Sequence, residues 1–178
     1  MPLALQAFTT PANTLVIADT AAPPGTLPTP AVFTPPSLIS PAIDGGLAYI
    51  WSPNSASGQV VTFRSTFVVG GLPILNVALP VSAFYAFAAN GTATITATLE
   101  VVNLLGIVVL SIPLFTESNG GNPQNVATAS GDALLGVGVL VGNTVRIVVD
   151  ATVTAPEEVG YGTNPGRYLG EIIVREII

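Results

Sequence analysis

The chain has 178 residues and a formal net charge of −6; 49% of its residues are hydrophobic and only 8% are charged. An ordinary domain has about 25% charged residues, and the four cations here are single arginines without any lysine or histidine, so nucleic acid is not expected as a partner. The absence of cysteine excludes disulfides and thiolate metal sites, and no apolar run reaches the roughly 18 residues of a membrane-spanning helix.

Residues 1–44 are predicted to form an extended arm that connects subunits. Residues 1–41 contain nine of the sixteen prolines, which fix φ and remove backbone donors, so extended polyproline-like chain is favoured over a helix or a central strand. No basic leading segment precedes an apolar stretch, so no secretory signal is expected. An apolar extended arm needs a surface to lie on, and we expect another subunit to provide it. The predicted contact residues of the arm are Leu3, Leu5, Phe8, Leu15, Val16, Ile17, Val32 and Phe33.

Residues 45–178 are predicted to form the folded domain. Its strand signals begin around Trp51 and continue through residues 59–69, where Phe63 and Phe67 point inward and alternate with polar residues. Residues 74–89 contain at least one further strand. The dipeptide Asn90-Gly91 follows, and it is favoured in the type I′ turn of a β-hairpin.

Residues 90–115 are the stretch around which the other strands are predicted to pack. Residues 92–101 alternate between polar, mainly threonine, and apolar side chains, which is typical of a strand with one wet face and one buried face. After a break at Gly106, residues 107–110 are apolar on both sides. This pattern predicts a second strand in the interior of a sheet rather than at its edge.

The remainder of the chain continues the β pattern. A polar loop over residues 117–132, within which residues 126–129 could form a short strand, is followed by a glycine-punctuated strand over 134–141 and a cleanly alternating strand over 144–154. A second loop spans residues 156–165. Seven to nine short strands without a convincing helix predict an all-β, antiparallel jelly-roll sandwich.

The last strand, residues 168–178, is apolar on both faces. Ile172 and Val174 point one way, whereas Ile173 and Ile177 point the other way. Proteins avoid exposed hydrophobic edges because such edges recruit foreign strands. We therefore expect this strand to be covered on both faces, either inside its own sandwich with the arm over it or by pairing with a neighbouring subunit through Ile173 and Ile177.

Three fragments of the domain resemble the galactose-binding-domain-like jelly-roll modules that accompany many glycoside hydrolases. In those modules a Trp precedes an FRxTF-like strand, as Trp51 precedes Phe63-Arg-Ser-Thr-Phe67, and a glycine-asparagine turn precedes a late core strand, as Gly142-Asn143 does here. The third fragment is the region around Asn90. The resemblance runs from residue 47 to the C-terminus and implies the fold; the exposed aromatic and charged cluster of the carbohydrate-binding members is missing. In low charge and Thr-rich strands, the chain is also similar to jelly-roll proteins of bacterial spore surfaces and their appendage fibres.

No catalytic, cofactor-binding or metal-binding residue is predicted. Histidine and lysine, which could activate a nucleophile or act as a general base, are absent. Glu100, Arg146 and Asp150 fall on outward strand faces, where cross-strand pairing or a solvated surface is expected, and Arg64 is expected to be solvated or paired with another subunit.

One loop has side chains of the kind that bind calcium. Glu117 and Asp132 flank it, and it contains the oxygen-bearing side chains of Asn119, Asn122 and Asn125. Calcium needs six or more oxygen ligands, and nothing in this sequence fixes their spacing. An ordinary polar loop is therefore the favoured interpretation.

Two functions remain open from the sequence. The first is a non-enzymatic structural subunit that polymerises with copies of itself into a fibre, pilus-like appendage, sheath or shell, because a monomer with so few charges has little to prevent association. The second is a carbohydrate-binding or adhesive module, with glycans as partners, in which Trp51 stacks on a sugar ring. Both hypotheses place the protein outside the cell or on a cell or spore surface.

Overall fold

The computed structural model describes residues 3–34, 49–70, 78–121, 126–136, 142–157 and 166–176. These residues form β-strands and contain no helix that could cross a membrane. The strands are β1 (Leu3–Phe8), β2 (Thr14–Asp19), β3 (Thr29–Pro30), β4 (Val32–Thr34), β5 (Tyr49–Trp51), β6 (Val60–Val69), β7 (Leu79–Ala89), β8 (Thr92–Val102), β9 (Val108–Ser118), β10 (Ala127–Leu135), β11 (Thr144–Thr154) and β12 (Tyr168–Glu176).

Strands β5 to β12 form a jelly roll. Sheet A contains them in the order β10-β7-β12-β5, and sheet B in the order β6-β11-β8-β9. Every connection between consecutive strands of this set crosses from one sheet to the other, except the β8–β9 hairpin. All the pairings are antiparallel. This arrangement of eight strands in two sheets confirms the predicted jelly-roll sandwich.

The first four strands extend both sheets of the same sandwich. β1 pairs with β12 on the side away from β7, and β2 pairs with β6. β3 adds to β2 and β4 adds to β5, so that β3 ends sheet B and β4 ends sheet A. The N-terminal segment therefore contributes strands to the sheets of its own chain.

The expectation of polyproline-like chain in preference to a central strand is wrong for β2, which lies between β3 and β6 in sheet B. The prolines of residues 3–34 lie where a missing backbone donor is tolerated: Pro11, Pro23 and Pro24 are in or beside turns, and Pro30 is in the short edge strand β3. The predicted boundary between arm and domain at residue 44 lies outside the described residues.

The core lies between the sheets and is built mainly from β6, β8 and β11 on one side and β7 and β12 on the other. The predicted alternation in β8 is confirmed, since its apolar positions from Ala93 to Val101 are buried. An aromatic group joins the sheets at one end: the rings of Trp51 and Phe63 are 5.6 Å apart, and Phe63 stacks on Tyr168 at 5.5 Å. Burial of these apolar groups is the main favourable contribution to folding.

The predicted interior position of the strand after Gly106 is wrong. This strand is β9, the last strand of sheet B, and Val108 and Val109 are 40% and 52% exposed. β10 joins sheet A and β11 lies between β6 and β8, so no strand of the described residues extends sheet B beyond β9. Apolar residues on both faces therefore do not mark an interior strand here.

The dipeptide Asn90-Gly91 does not close a hairpin. It joins β7 in sheet A to β8 in sheet B, so the expected type I′ hairpin is replaced by a connection between sheets. A Cβ atom on Gly91 would collide with the backbone oxygen of Thr154. Glycine is required at this position because another strand approaches the backbone closely.

The C-terminal strand takes the first of the two expected positions, inside its own sandwich. β12 pairs with β7 on one side and with β1 and β5 on the other. Ile172 and Val174 are completely buried, and Ile173 is half-buried on the opposite face. Both sides of β12 are paired within the chain, so a neighbour could add a strand at β12 only by taking the place of β1 or β5. Ile177 lies outside the described residues.

Candidate functional site

The charged residues on the outer face of sheet B are paired across strands, as expected for Glu100 and Arg146, whereas Arg64, expected to be solvated or paired with another subunit, is paired within the chain. Arg64 donates from Nε and Nη2 to the two carboxylate oxygens of Asp150, at 2.8 and 2.7 Å. Arg146 donates to Oε2 of Glu100, at 2.8 Å from Nε and 2.7 Å from Nη2. Exposed pairs of this kind contribute about 0–1 kcal/mol each, and they leave these two arginines occupied within the chain.

The first residues of the loop that has the composition of a calcium site are hydrogen-bonded to the β7–β8 connection and to each other. Asn119 is buried, and its Oδ1 accepts the N–H groups of Ala93 and Gly121 while its Nδ2 donates to the carbonyl of Gly91. Glu117 accepts the N–H of Ser118. Asn122 and Asn125 lie outside the described residues, and within the described ranges no three His, Cys, Asp or Glu side chains form a metal-binding group.

Trp51, the predicted sugar-stacking residue, is completely buried in the core. Its Nε1 donates to Oε1 of Gln59 at 3.1 Å, which satisfies the indole. No sugar ring can reach a buried indole, so the hypothesis that Trp51 binds carbohydrate is corrected by its position. Trp51 instead packs as a core residue, which is the commoner role of an isolated tryptophan.

Asp19, at the end of β2, holds the N-terminal segment to the β5–β6 connection. Its carboxylate accepts hydrogen bonds from Ser52 Oγ at 2.5 Å, Gln59 Nε2 at 2.6 Å, the N–H of Ala21 at 2.7 Å and Asn54 Nδ2 at 3.1 Å. Burial alone would raise the pKa of this carboxyl, but the four hydrogen bonds outweigh burial and lower the pKa below its ordinary value of 3.8. Sequence reasoning missed this cluster, although Asp19 is the single charge in residues 1–41.

β1 is held to β12 by side chains as well as by strand pairing. Gln6 Nε2 donates to Oε1 of Glu171 at 2.7 Å. Just beyond β1, the buried Thr9 bonds twice to Gly170: its N–H donates to the carbonyl at 2.9 Å, and its Oγ1 accepts the N–H at 3.0 Å. β1 is thus a regular strand of sheet A, paired with β12 on the side of β12 that faces away from β7.

The structure divides the predicted subunit-contact residues into buried and exposed groups. Val16 is completely buried in the core, so it has no surface for a second subunit. Leu5, Phe8, Ile17 and Ile173 are half-buried. The exposed residues of the set are Leu3, Leu15, Val32 and Phe33, with Phe33 the most exposed at 60%.

The most exposed apolar side chains lie in the turn between β8 and β9. Leu104 is 89% exposed and Leu105 is 83% exposed, and exposure continues through Ile107 into β9. Sequence reasoning missed this surface because the pattern of residues 107–110 predicts a sheet interior. The sequence does contain an indication of an exposed apolar surface: Leu104 and Leu105 precede Gly106 in a turn, where polar residues are usual.

No protein-family model and no curated protein matches the sequence. Among solved structures, the chain is similar to the CBM22-1 xylan-binding domain of Paenibacillus barcinonensis Xyn10C, with 10% identity, a TM-score of 0.47 and coverage of 98% of this chain and 94% of that chain. It is also similar to infectious bursal disease virus, Gx strain, with 13% identity, a TM-score of 0.38 and coverage of 83% and 37%. The jelly-roll fold follows from the strand order of the two sheets, and at these identities and scores neither a family nor a function follows from the solved structures.

Proposed function

We propose that the protein is a non-enzymatic structural subunit that assembles with copies of itself outside the cell or on a cell or spore surface. We further propose that the subunits are joined by exchange of their terminal strands, β1 and β2. The observation that supports this is the way in which these strands are held: each adds to an edge of a different sheet of the sandwich. Strand addition is a recurring way for one chain to bind another.

An exchanged arrangement repeats contacts that already exist within one chain. If β1 and β2 of one subunit occupy the same places on a neighbour, the pairing with β12 and β6 and the bonds to Asp19 are all retained. Exchange of an identical element is therefore a low-cost route to association. The segment between β2 and β3, residues 20–28, is exposed or half-buried and proline-rich, which suits it as the connection between two subunits.

β1 and β2 cover strand edges of the sandwich that would otherwise be open, so each edge favours binding of a terminal strand from its own chain or from a neighbour. Without them, β12 and β6 would present unpaired backbone over residues 171–175 and 61–65. Such edges recruit other chains, and the low charge of this chain gives little protection against association. Occupation of these edges by a neighbour's terminal strands would give a chain of linked subunits.

A cysteine pair tests the exchange directly, because the chain contains no other cysteine. Gln6 and Ile173 are opposite each other in the β1–β12 pair, and opposed residues in antiparallel strands have Cα separations that a disulfide can span. In Gln6→Cys/Ile173→Cys, we expect oxidation of the monomer to give an intrachain bond and to block assembly. Oxidation after assembly should give covalent multimers on a non-reducing denaturing gel.

The matched control is Ser82→Cys/Asp132→Cys, an opposed pair between β7 and β10 inside the domain. This pair should oxidise within one chain before and after assembly. If the Gln6/Ile173 variant assembles but yields only intrachain bonds, the terminal strands are not exchanged. If the wild-type protein remains monomeric in sedimentation velocity and electron microscopy at all accessible concentrations, the structural function itself is refuted.

A further inference from the structure

We propose that the tip of the β8–β9 hairpin docks on the β4 edge of a second copy of the chain, forming a contact separate from strand exchange. This inference rests on the proposed function, because it names a second contact of the same assembling subunit. The tip consists of Leu104, Leu105, Ile107, Val108 and Val109, and the β4 edge consists of Pro30, Val32 and Phe33.

The tip is held in one conformation by hydrogen bonds within the turn. The side-chain oxygen of Asn103 accepts the N–H groups of Leu105 and Ile107, each at 3.0 Å. The N–H of Asn103 donates to the carbonyl of Ile107, and the N–H of Gly106 to the carbonyl of Asn103, both at 2.9 Å. Gly106 has a φ of 80°, which favours glycine. A preordered turn loses little conformational entropy on binding.

The tip is continuous with an uncovered sheet edge. β9 is the last strand of sheet B, and its second half is approached by β10, where a Cβ on Gly131 would collide with the backbone oxygen of Leu114. Across residues 108–111, no strand of the described part of the chain pairs with the free side of β9. An apolar edge left open in this way favours association.

The exposed area of the tip sets the strength of the contact. From the exposed fractions of its five residues, the tip presents on the order of 500 Å² of mainly apolar surface, near the upper end of the largest patches on ordinary monomers. A stable interface buries about 800 Å² on each partner. The tip contact alone is therefore weak, and it becomes effective when strand exchange already links the same subunits.

Charge argues that the partner is another copy of this chain. No charged residue occurs between Glu100 and Glu117, so the tip has no ion pair with which to select a charged partner. The chain has no lysine, and its arginines at positions 64 and 146 are already paired, so a basic patch beside the tip that would favour an anionic membrane is missing. The β4 edge matches the tip: residues 20–34 are uncharged, and Phe33 is 60% and Val32 39% exposed.

The two surfaces lie at opposite ends of the sandwich. β4 pairs with β5, which meets β12 at Tyr168, and Tyr168 is opposite Ala89 at the end of β7. β8 begins at that end and runs eleven residues to Val102, a length of roughly 33 Å, before the tip begins. A contact between different surfaces at opposite ends is heterologous, and such contacts produce open filaments or rings.

The test measures the protein concentration needed for assembly, by sedimentation velocity with electron microscopy of the products. In Leu104→Asp/Leu105→Asp, we expect this concentration to rise by about tenfold or more. The reason is that the contact would remove two unpaired carboxylates from water, which is unfavourable. The control is Leu134→Asp, which places a charge at a position on β10 that is 62% exposed, and we expect it to assemble as wild type. Far-UV circular dichroism and the thermal midpoint verify that each variant folds.

A charge-pair variant identifies the surface that the tip contacts. Leu104→Lys/Leu105→Lys should also raise the protein concentration needed for assembly, and the wild-type concentration should be restored when Phe33→Asp is added in the same chain. Recovery on mixing the Lys-tip and Asp-tip proteins instead would show tip-to-tip contact and overturn the proposal. So would loss of binding to phosphatidylcholine vesicles in the Asp-tip variant while its assembly is unchanged. Unchanged assembly of all tip variants, with interchain bonds still formed by the Gln6/Ile173 cysteine pair, overturns the tip contact alone; a wild-type protein that never assembles overturns both.

Discussion

Replacement of Asp19 by asparagine tests whether this one carboxylate holds the terminal strands to the sandwich. The substitution keeps the size of the side chain but removes its charge and replaces one acceptor oxygen by a donor. Two of the donors that face it, Ser52 Oγ and Gln59 Nε2, belong to buried side chains. Leaving a buried donor unsatisfied costs about 1–3 kcal/mol. Because asparagine keeps one acceptor oxygen, only one of these two donors loses its partner, and we expect Asp19→Asn to lower the free energy of unfolding by about 1–3 kcal/mol at pH 7.

The pH dependence gives an independent check of the same mechanism. The pKa of Asp19 is lower in the folded protein than its ordinary value of 3.8. Its contribution is therefore fully present above the unfolded pKa and is lost as the pH falls through the folded pKa. The difference in unfolding free energy between wild type and Asp19→Asn should be constant near neutrality and should shrink below about pH 4.

Urea unfolding of the monomer at pH 7 and at pH 3 measures this difference. Asp132→Asn is the control, because Asp132 is an exposed carboxylate on β10. A loss that is equal at both pH values would mean that the ionised carboxylate is not the cause. A variant as stable as wild type at pH 7 would refute the role of Asp19 altogether.

Two further substitutions test local features of the fold. Gly91→Ala should destabilise the monomer by at least about 1–3 kcal/mol in urea unfolding, since the added Cβ collides with the backbone oxygen of Thr154; wild-type stability would show that the β7–β8 connection can move. Tyr49→Phe should be neutral or stabilising by up to about 1–3 kcal/mol, because the hydroxyl of Tyr49 is buried without a hydrogen-bond partner in the described structure. A marked loss of stability in Tyr49→Phe would reveal a partner for that hydroxyl.

The sequence predicted the parts of the fold that depend on local pattern. Alternation over residues 92–101 and 144–154 identified β8 and β11 and their buried faces, and outward charges identified the pairing of Arg146 with Glu100 but not that of Arg64. These features follow from the period of two along a strand and from direct opposition across a ladder. Neither requires knowledge of which sheet a strand joins.

The errors arose where the position of a strand within the whole sandwich decides its surroundings. The apolar run after Gly106 fits an interior strand and an edge strand equally well, and only the crossing of the chain to sheet A makes β9 an edge. Likewise, Asn90-Gly91 has the composition of a hairpin turn, yet its glycine serves the close approach of Thr154. In the N-terminal segment, the high proline content argues against strands, whereas Leu15, Val16 and Ile17 favour one. The strand forms, because edge strands and turns tolerate the prolines.

The two proposed contacts follow from the same property of the fold, which is how its sheet edges are covered. The sandwich has edges at β6 and beside β12 that the terminal strands cover from the N-terminus, and the second half of β9 is approached by β10. Covering by a segment that is close to the end of the chain is exchangeable between copies, since that segment can leave without unfolding the sandwich core beneath it. Covering by an interior strand such as β10 is not exchangeable in this way.

The exposed tip of the β8–β9 hairpin adds a directional apolar contact, next to the part of the β9 edge that β10 leaves open. Asp19 connects stability to assembly: a substitution that frees the terminal strands should weaken the monomer and speed their exchange, whereas a tip substitution should weaken assembly and leave the monomer as stable as wild type.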